Sequence, residues 1–225
     1  MELQFYHFPV AVLANGITER TLFQMVQYYI CSYMEENEVT FAEACKELCL
    51  ENWNEDDCRT TFEYYKNCRA KTSISRDLYW QWRNKVKTES EYSKLLLLAF
   101  LAVKSIVGRK DYAITNYDFL LARMAGDNVP RYKTHKGKKV LILPPHIKPI
   151  NTRRKHEQLR DDLLHYHVTT WGRRGRRGFA ISTKLKDVEL ALLIETNGPK
   201  PKAQLRKERI DKVKAILKEL QGLSD

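Results

Sequence analysis

Three basic clusters and one histidine pair are the parts of this sequence with residue types and spacings suited to chemistry. Arg173, Arg174, Arg176 and Arg177 share one short run with Gly172, Gly175 and Gly178. Upstream, Thr152 is followed by Arg153, Arg154 and Lys155, with Gln158 and Arg160 about one helical turn further on. A guanidinium presents a planar fork of N–H donors that matches phosphate or carboxylate oxygens. Four such charges on one loop repel one another, so the arrangement is unfavourable without an anionic partner. Glycines between them let the backbone flatten against a surface. Lys133, Lys136, Lys138 and Lys139 form a further basic group. The plain alternative for all three groups is a solvated cationic surface.

Catalytic readings are weaker. His165-Tyr166-His167 has the spacing that places two imidazoles on one face of a strand, where they could hold a divalent ion as in relaxases and rolling-circle nucleases. Tyr28-Tyr29 would supply a nucleophile. The triplet falls at an expected helix end, however, and no third ligand is spaced near it. Cys31, Cys45, Cys49, Cys58 and Cys68 form no CxxC pair and read as small core residues. Asp161-Asp162 balances charge on a basic helix. Walker, HExxH and GxSxG patterns are absent from the sequence. The expectation is a binding protein without catalysis, cofactor or metal.

Charge distribution points the same way. The chain has 225 residues and a formal net charge of +11. Residues 1–70 carry 5 basic and 12 acidic groups, net −7, whereas residues 131–186 carry 16 and 3, net +13. A field this concentrated attracts polyanions, nucleic acid first among them; an acidic protein is the other candidate. No apolar run approaches the ~18 residues of a membrane span. Met1-Glu2-Leu3-Gln4 lacks a positive leader region. A soluble, cytoplasmic protein is the expectation.

Elements that would hold these residues follow from periodicity and caps. An aromatic, β-branched opening over 5–13 predicts an extended segment. Helical spacing predicts a helix over 19–35, and Thr40–Glu43 fits a capping box for a helix through Leu50. Asn54 caps a helix with Cys58, Phe62, Tyr65 and Cys68 inward. Around 77–83 a further helix puts Trp80 and Trp82 on different faces, so one of them is partly exposed. Thr88-Glu89-Ser90-Glu91 opens a helix to Val107, closed by Gly108. After a short extended piece at 111–114, Thr115-Asn116-Tyr117-Asp118 caps a helix that buries Phe119, Leu120, Ala122 and Met124. Residues 127–151 form a basic connection with a short strand at 140–143. Thr152 caps a helix to about Tyr166, with His156, Leu159, Leu163 and Tyr166 inward. Two β-prone pentads, 167–171 and 179–183, flank the arginine loop as a hairpin. A last helix with Leu185, Val188, Leu192 and Glu195 at helical spacing, ended by Gly198-Pro199, precedes a 199–202 linker. The tail's Ile210, Val213, Leu217 and Leu220 could dock on the domain or pair in a homodimer.

In order, residues 88–198 read helix, short strand, helix, long connection, helix, β-hairpin, helix. This resembles the winged helix-turn-helix family of DNA-binding domains. The segment Ile114 to Gly126 looks like that family's second helix, Thr152-Arg153-Arg154-Lys155 like the opening of its recognition helix, and Trp171 to Phe179 like its wing tip. The connection 127–151 is longer than the family's usual turn and is read as a basic insertion. The resemblance implies a mainly α fold with a small β-hairpin. An acidic helical region (1–87) precedes a winged-helix domain (88–198), and a linker and C-terminal helix (199–225) follow. It also implies duplex DNA as partner. Thr152, Arg153, Arg154, Lys155, Gln158 and Arg160 would act from the helix, Arg173, Arg174, Arg176 and Arg177 from the wing, and Lys133, Lys136, Lys138 and Lys139 on flanking phosphates. Transcriptional control is the implied role. Replication initiation on a plasmid or mobile element, and RNA binding or nuclease-like action through the same face, are the alternatives.

Overall fold

Capping residues set where the helices begin. The structure, a computed structural model, describes residues 5–172 and 178–197. Side-chain oxygens of Thr18, Thr40, Asn54, Ser75, Ser90, Asn116 and Thr152 accept from backbone N–H groups that helix geometry would otherwise leave orphaned. They open α1 (Glu19–Asn37), α2 (Phe41–Glu47), α3 (Glu55–Tyr65), α4 (Arg76–Lys85), α5 (Glu91–Val107), α6 (Tyr117–Met124) and α7 (Arg153–Asp162). An eighth helix, α8, spans Asp187–Asn197. Thr40 and Glu43 make both halves of the expected capping box. The expected box at 88–91 is displaced: Ser90 caps α5, while the Thr88 hydroxyl donates to Lys85 O and closes α4 instead.

The fold is mainly α, with three small antiparallel sheets among the described residues. Strands β1 (Phe5–Pro9) and β2 (Lys71–Ser75) pair with Tyr6 opposite Ile74. Strand β3 (Ala113–Thr115) pairs with β7 (Phe179–Ser182), which also pairs with β6 (Thr169–Gly172), giving the order β3-β7-β6. Strands β4 (Tyr132–His135) and β5 (Lys138–Leu141) form a separate hairpin inside the 127–151 connection. The sequence suggested one short strand there; the structure has two.

α5 is the hub. Leu97, Leu98, Leu101, Ala102 and Val103 are essentially inaccessible, and the helix packs on β2, α6 and β7. Burying each leucine stabilises the fold by about 1.5–3 kcal/mol relative to exposure. The Thr72 hydroxyl donates to Leu101 O at 2.7 Å and ties β2 to this helix. Buried side chains from Tyr6 to Ile181 belong to one continuous apolar cluster. Trp82 lies in it at 2 % exposure, whereas Trp80 is 40 % exposed, as their positions on opposite faces of α4 require. Cys31 and Cys58 are buried as expected, and burial pushes their thiols up to about 11 and about 12. Cys49 is exposed.

α8 corrects one expectation. Its buried residues are Leu190 and Ile194, packed with Ala180 and Trp171, while Val188 and Leu192 are 80 % and 62 % exposed. The sequence Val188-Glu189-Leu190-Ala191-Leu192-Leu193-Ile194 is apolar nearly all round, so periodicity offers two stripes and the β6–β7 surface chooses between them. The expected linker and tail helix at 199–225 lie outside the described residues.

Candidate nucleic-acid interface

The first turn of α6 is the junction from which the basic elements are held. Asn116 caps it by accepting from Phe119 N at 2.9 Å. Tyr117 stacks on His156 of α7, with ring centroids 4.3 Å apart and planes 15° apart, and meets Phe179 of β7 at 4.8 Å. Asp118 Oδ2 accepts from the Tyr132 hydroxyl of β4 at 2.8 Å. Two consecutive side chains therefore touch α7, the β6–β7 sheet and the β4–β5 hairpin.

α7 is fastened along its inner side. Leu159 and Leu163 are buried, and Tyr166 stacks on Phe100 at 4.6 Å. The Tyr92 hydroxyl donates to Asp162 at 2.5 Å and joins the far end of α7 to the start of α5. The inward set His156, Leu159, Leu163 and Tyr166 is the expected one, although the α-helix ends at Asp162 and Leu163–Tyr166 continues as a tighter 3-10 turn.

The outer side is cationic. The Thr152 hydroxyl accepts from Lys155 N at 3.4 Å. Arg153 is 92 % exposed and its Nε lies 3.1 Å from Glu157. Lys155 Nζ donates to Gln158 at 3.1 Å, and Arg154 is exposed. Arg160 is half-buried and pairs with Asp161 at 3.0 Å. Such surface pairs contribute about 0–1 kcal/mol and exchange readily for a better anion. Every other α-helix among the described residues has at least one Asp or Glu in its first turn. α7 has none there and starts with Arg153, Arg154 and Lys155. The N-terminal end of a helix carries about half a positive charge, so cations there add to it instead of cancelling it.

The β4–β5 hairpin presents a second cationic surface. Its two-residue turn, Lys136-Gly137, has φ of 48° and 74°, the mirror-image turn that matches strand twist. Residues opposite one another share a face. Tyr132 with Leu141 and Thr134 with Lys139 form one face, and Lys133 with Val140 and His135 with Lys138 form the other. The first face is tethered through Tyr132, and Leu141 is packed against the core. Lys133, Lys136, Lys138 and Lys139 are all exposed.

At the third basic element, Trp171 opposes Ala180 and Gly172 opposes Phe179. Arg173, Arg174, Arg176 and Arg177 lie outside the described residues. Gly178, where the chain rejoins β7, has φ +92°.

The histidine triplet has no strand beneath it. His165 lies in the 3-10 turn and His167 takes a left-handed φ of 56°, so alternation along a strand does not align the two imidazoles. Tyr28 is buried. Among the described residues no group of three His, Cys, Asp or Glu is arranged for a metal ion, and no helix is long and apolar enough to cross a membrane. Sequence reading missed Tyr117, Asp118 and Tyr132 as the fastening residues, because their partners are distant in the chain.

His156 makes the junction sensitive to acid. Burial holds its imidazole below the ordinary value of 6.5, with the Asp118 carboxylate opposing, and its Nε2 is buried without a partner among the described residues. As pH falls the unfolded chain takes up this proton first. The stability gained from a neutral His156 is therefore complete above about 6.5 and is lost as pH drops from there through the lower folded value. Melting temperature is expected to fall between pH 7 and pH 5, and to fall less in His156→Phe, which keeps a ring against Tyr117. Burial also lowers His7 and His146, so part of the slope remains. Thermal melts across that range check this; equal slopes in both proteins would remove His156 from the linkage.

Comparison of the chain with protein-family models, with curated proteins and with solved structures finds no match in any of the three.

Proposed function

We propose that this chain binds double-stranded DNA without catalysis, as a winged-helix protein whose α7 enters the major groove while two basic hairpins lie on flanking backbone, and that it serves transcriptional control. The reading is carried by the start of α7, the one described α-helix whose first turn has cations and no acid. Element order supports it: α5, β3, α6, the inserted β4–β5 hairpin, α7, β6, β7, with the sheet order β3-β7-β6. An α-helix with side chains is about 10–12 Å across, and the B-DNA major groove is about 12 Å wide. Arg153 or Arg154 would take guanine O6 and N7, Gln158 would take adenine, and Arg160 would reach phosphate.

Selection from a pool of random duplexes tests the reading. Enrichment of a common site is the expected result, with log K falling by about 0.9 per phosphate neutralised for each decade of salt. Replacing Arg153 by alanine is expected to cost about 1–3 kcal/mol on the selected site and less on others. A uniform loss would mean that it touches only phosphate. Failure to retain any duplex at low salt would overturn the proposal, and nicking of supercoiled plasmid with magnesium or manganese would replace it with a nuclease.

A further inference from the structure

An open groove of about 940 Å³ runs between α1 and α3, at the upper end of the size range of ligand sites. Two helical stripes border it. Arg20, Phe23 and Gln27 stand three and four residues apart on α1. Asn54, Asp57, Thr61 and Tyr64 stand three, four and three apart along α3 and its cap. That spacing puts each set on one side of its helix. Aromatic rings are held at both ends of α3. At its start, Trp53 meets Phe23 edge to face, with ring centroids 5.4 Å apart. The Arg83 guanidinium lies 4.3 Å from the Phe23 ring centroid and pairs with Glu19 at 3.2 Å, which fixes that side of the groove. At the other end, Tyr64 is 78 % exposed and rests edge-on against buried Tyr65 at 4.7 Å.

Between the rings, internal hydrogen bonds leave donors for a ligand. The Gln27 carbonyl oxygen accepts from the Thr61 hydroxyl at 2.9 Å, so its N–H2 end remains. The Asn54 carbonyl oxygen accepts from Asp57 N at 3.0 Å and leaves the same end. The Trp53 indole nitrogen can only donate. Among the described residues, Trp53 Nε1 and Gln27 Nε2 have no partner, and neither is closed to solvent. The formal charges bordering the groove, Arg20 and Asp57, cancel, and residues 1–70 carry a net −7. Such a field disfavours a phosphate-bearing ligand. The groove therefore suits a ligand without negative charge that offers acceptors and flat apolar surface.

We propose that the α1–α3 groove binds a proline-rich segment of a partner protein in the polyproline II conformation. Proline has no N–H, so such a segment presents carbonyl acceptors alone, the complement of the Gln27, Asn54 and Trp53 donors. Its rings pack on the Phe23–Trp53 pair and on Tyr64. The lengths agree. From Asn54 to Tyr64 a helix rises about 15 Å at 1.5 Å per residue, and polyproline II covers that distance in about five residues at 3.1 Å each. The conformation is formed before binding, so little chain entropy is lost in a shallow, open site. The groove lies on helices that the candidate DNA interface does not use, and the proposal survives the failure of that reading.

The full chain is titrated with octaproline and with a Gly-Ser repeat of equal length, followed by N–H chemical shifts. Saturable shifts of the Trp53 indole N–H and of the Gln27 and Asn54 N–H2 groups are expected with octaproline. The Gly-Ser peptide has the same carbonyls on a flexible chain without rings, and is expected to bind at least about tenfold more weakly. Gln27→Glu keeps the shape and can still accept from Thr61, but puts an acceptor where a donor stood; octaproline affinity is expected to fall about 3- to 10-fold. Tyr64→Ala removes an exposed ring that the fold does not need, and is expected to weaken binding at least about fivefold. Thermal melts check that both variants remain folded, and the exposed position of Tyr64 keeps the test valid if Gln27→Glu does not. Absence of shifts with octaproline, or equal binding of the Gly-Ser peptide, overturns the proposal. Unchanged affinity in Tyr64→Ala and in a folded Gln27→Glu would place the peptide elsewhere and overturns it too. Shifts of the same groups with maltoheptaose and none with octaproline would make the groove a carbohydrate site instead.

Discussion

Replacing Lys133, Lys136, Lys138 and Lys139 together by alanine is expected to cut duplex DNA affinity at low salt by at least about 100-fold and to flatten the salt dependence of log K by up to about 3.6, at 0.9 per phosphate. The size of the effect follows from geometry. All four side chains are exposed, Lys136 forms the hairpin turn with Gly137, and Tyr132 fixes the hairpin to the same helical turn that holds α7. No described carboxylate forms an ion pair with any of the four, so among the described residues no acid competes with phosphate for them. For the same reason the fold does not need them. Surface changes of this kind usually move stability by less than about 0.5 kcal/mol each. Fluorescence anisotropy at several salt concentrations, with a thermal melt as control, makes the measurement. An unchanged slope would mean that the hairpin stands clear of the DNA. A lowered slope with a fixed sequence preference would assign it to the backbone, leaving base reading to α7.

How much of this was legible in the sequence depends on the range of each signal. Asn116 and Thr152 were readable as caps because the oxygen and its N–H partner lie three residues apart. The displaced cap at Ser90 marks the limit of that logic: Thr88 and Ser90 are equally good acceptors, and the choice falls to Lys85 O, which engages Thr88. The inner face of α7 was readable because its outer face is strongly polar, which leaves one apolar stripe. On α8 two stripes compete, and the sheet that selects Leu190 and Ile194 comes from elsewhere in the chain. Strands β4 and β5 were hidden by the feature that makes them interesting. Exposed on most of both faces, they have no alternation of apolar residues to read, only a lysine-rich run with Gly137 in the middle. β2 is short, and only Thr72 and Ile74 are buried in it. The contacts that assemble the candidate interface, Tyr117 with His156 and Asp118 with Tyr132, join residues with no local reason to meet. The proposed function rests on charge density, which is additive along the chain and needs no fold to be seen.

Gly178→Ala is expected to be the most damaging single small substitution at the base of the arginine hairpin. At φ +92° an L-residue is strained by about 1–3 kcal/mol before any contact is considered. An added Cβ would lie 2.3 Å from Thr115 O and 3.3 Å from Thr115 C. That oxygen belongs to the backbone of β3, so no side-chain rotation removes the clash; β3 and β7 must part or the loop must rebuild. Thr115 precedes the Asn116 cap, and the displacement therefore reaches Tyr117 and Asp118, the two residues that hold α7 and the lysine hairpin. Strain and clash together are expected to cost at least about 3 kcal/mol, lowering the melting temperature by about 6–12 °C at 2–4 °C per kcal/mol for a chain of this size. Amide exchange at Ala180 and Ile181, which face β3 across the sheet, should accelerate, and DNA affinity should fall although no cation has been removed. Gly172→Ala is the internal control. It stands at the other end of the same hairpin, where an added Cβ meets nothing within 4 Å among the described residues. It should leave stability nearly unchanged and allow DNA binding to persist. If the two alanine variants behaved alike, the close approach of β7 to β3 would not be what holds the basic elements in register.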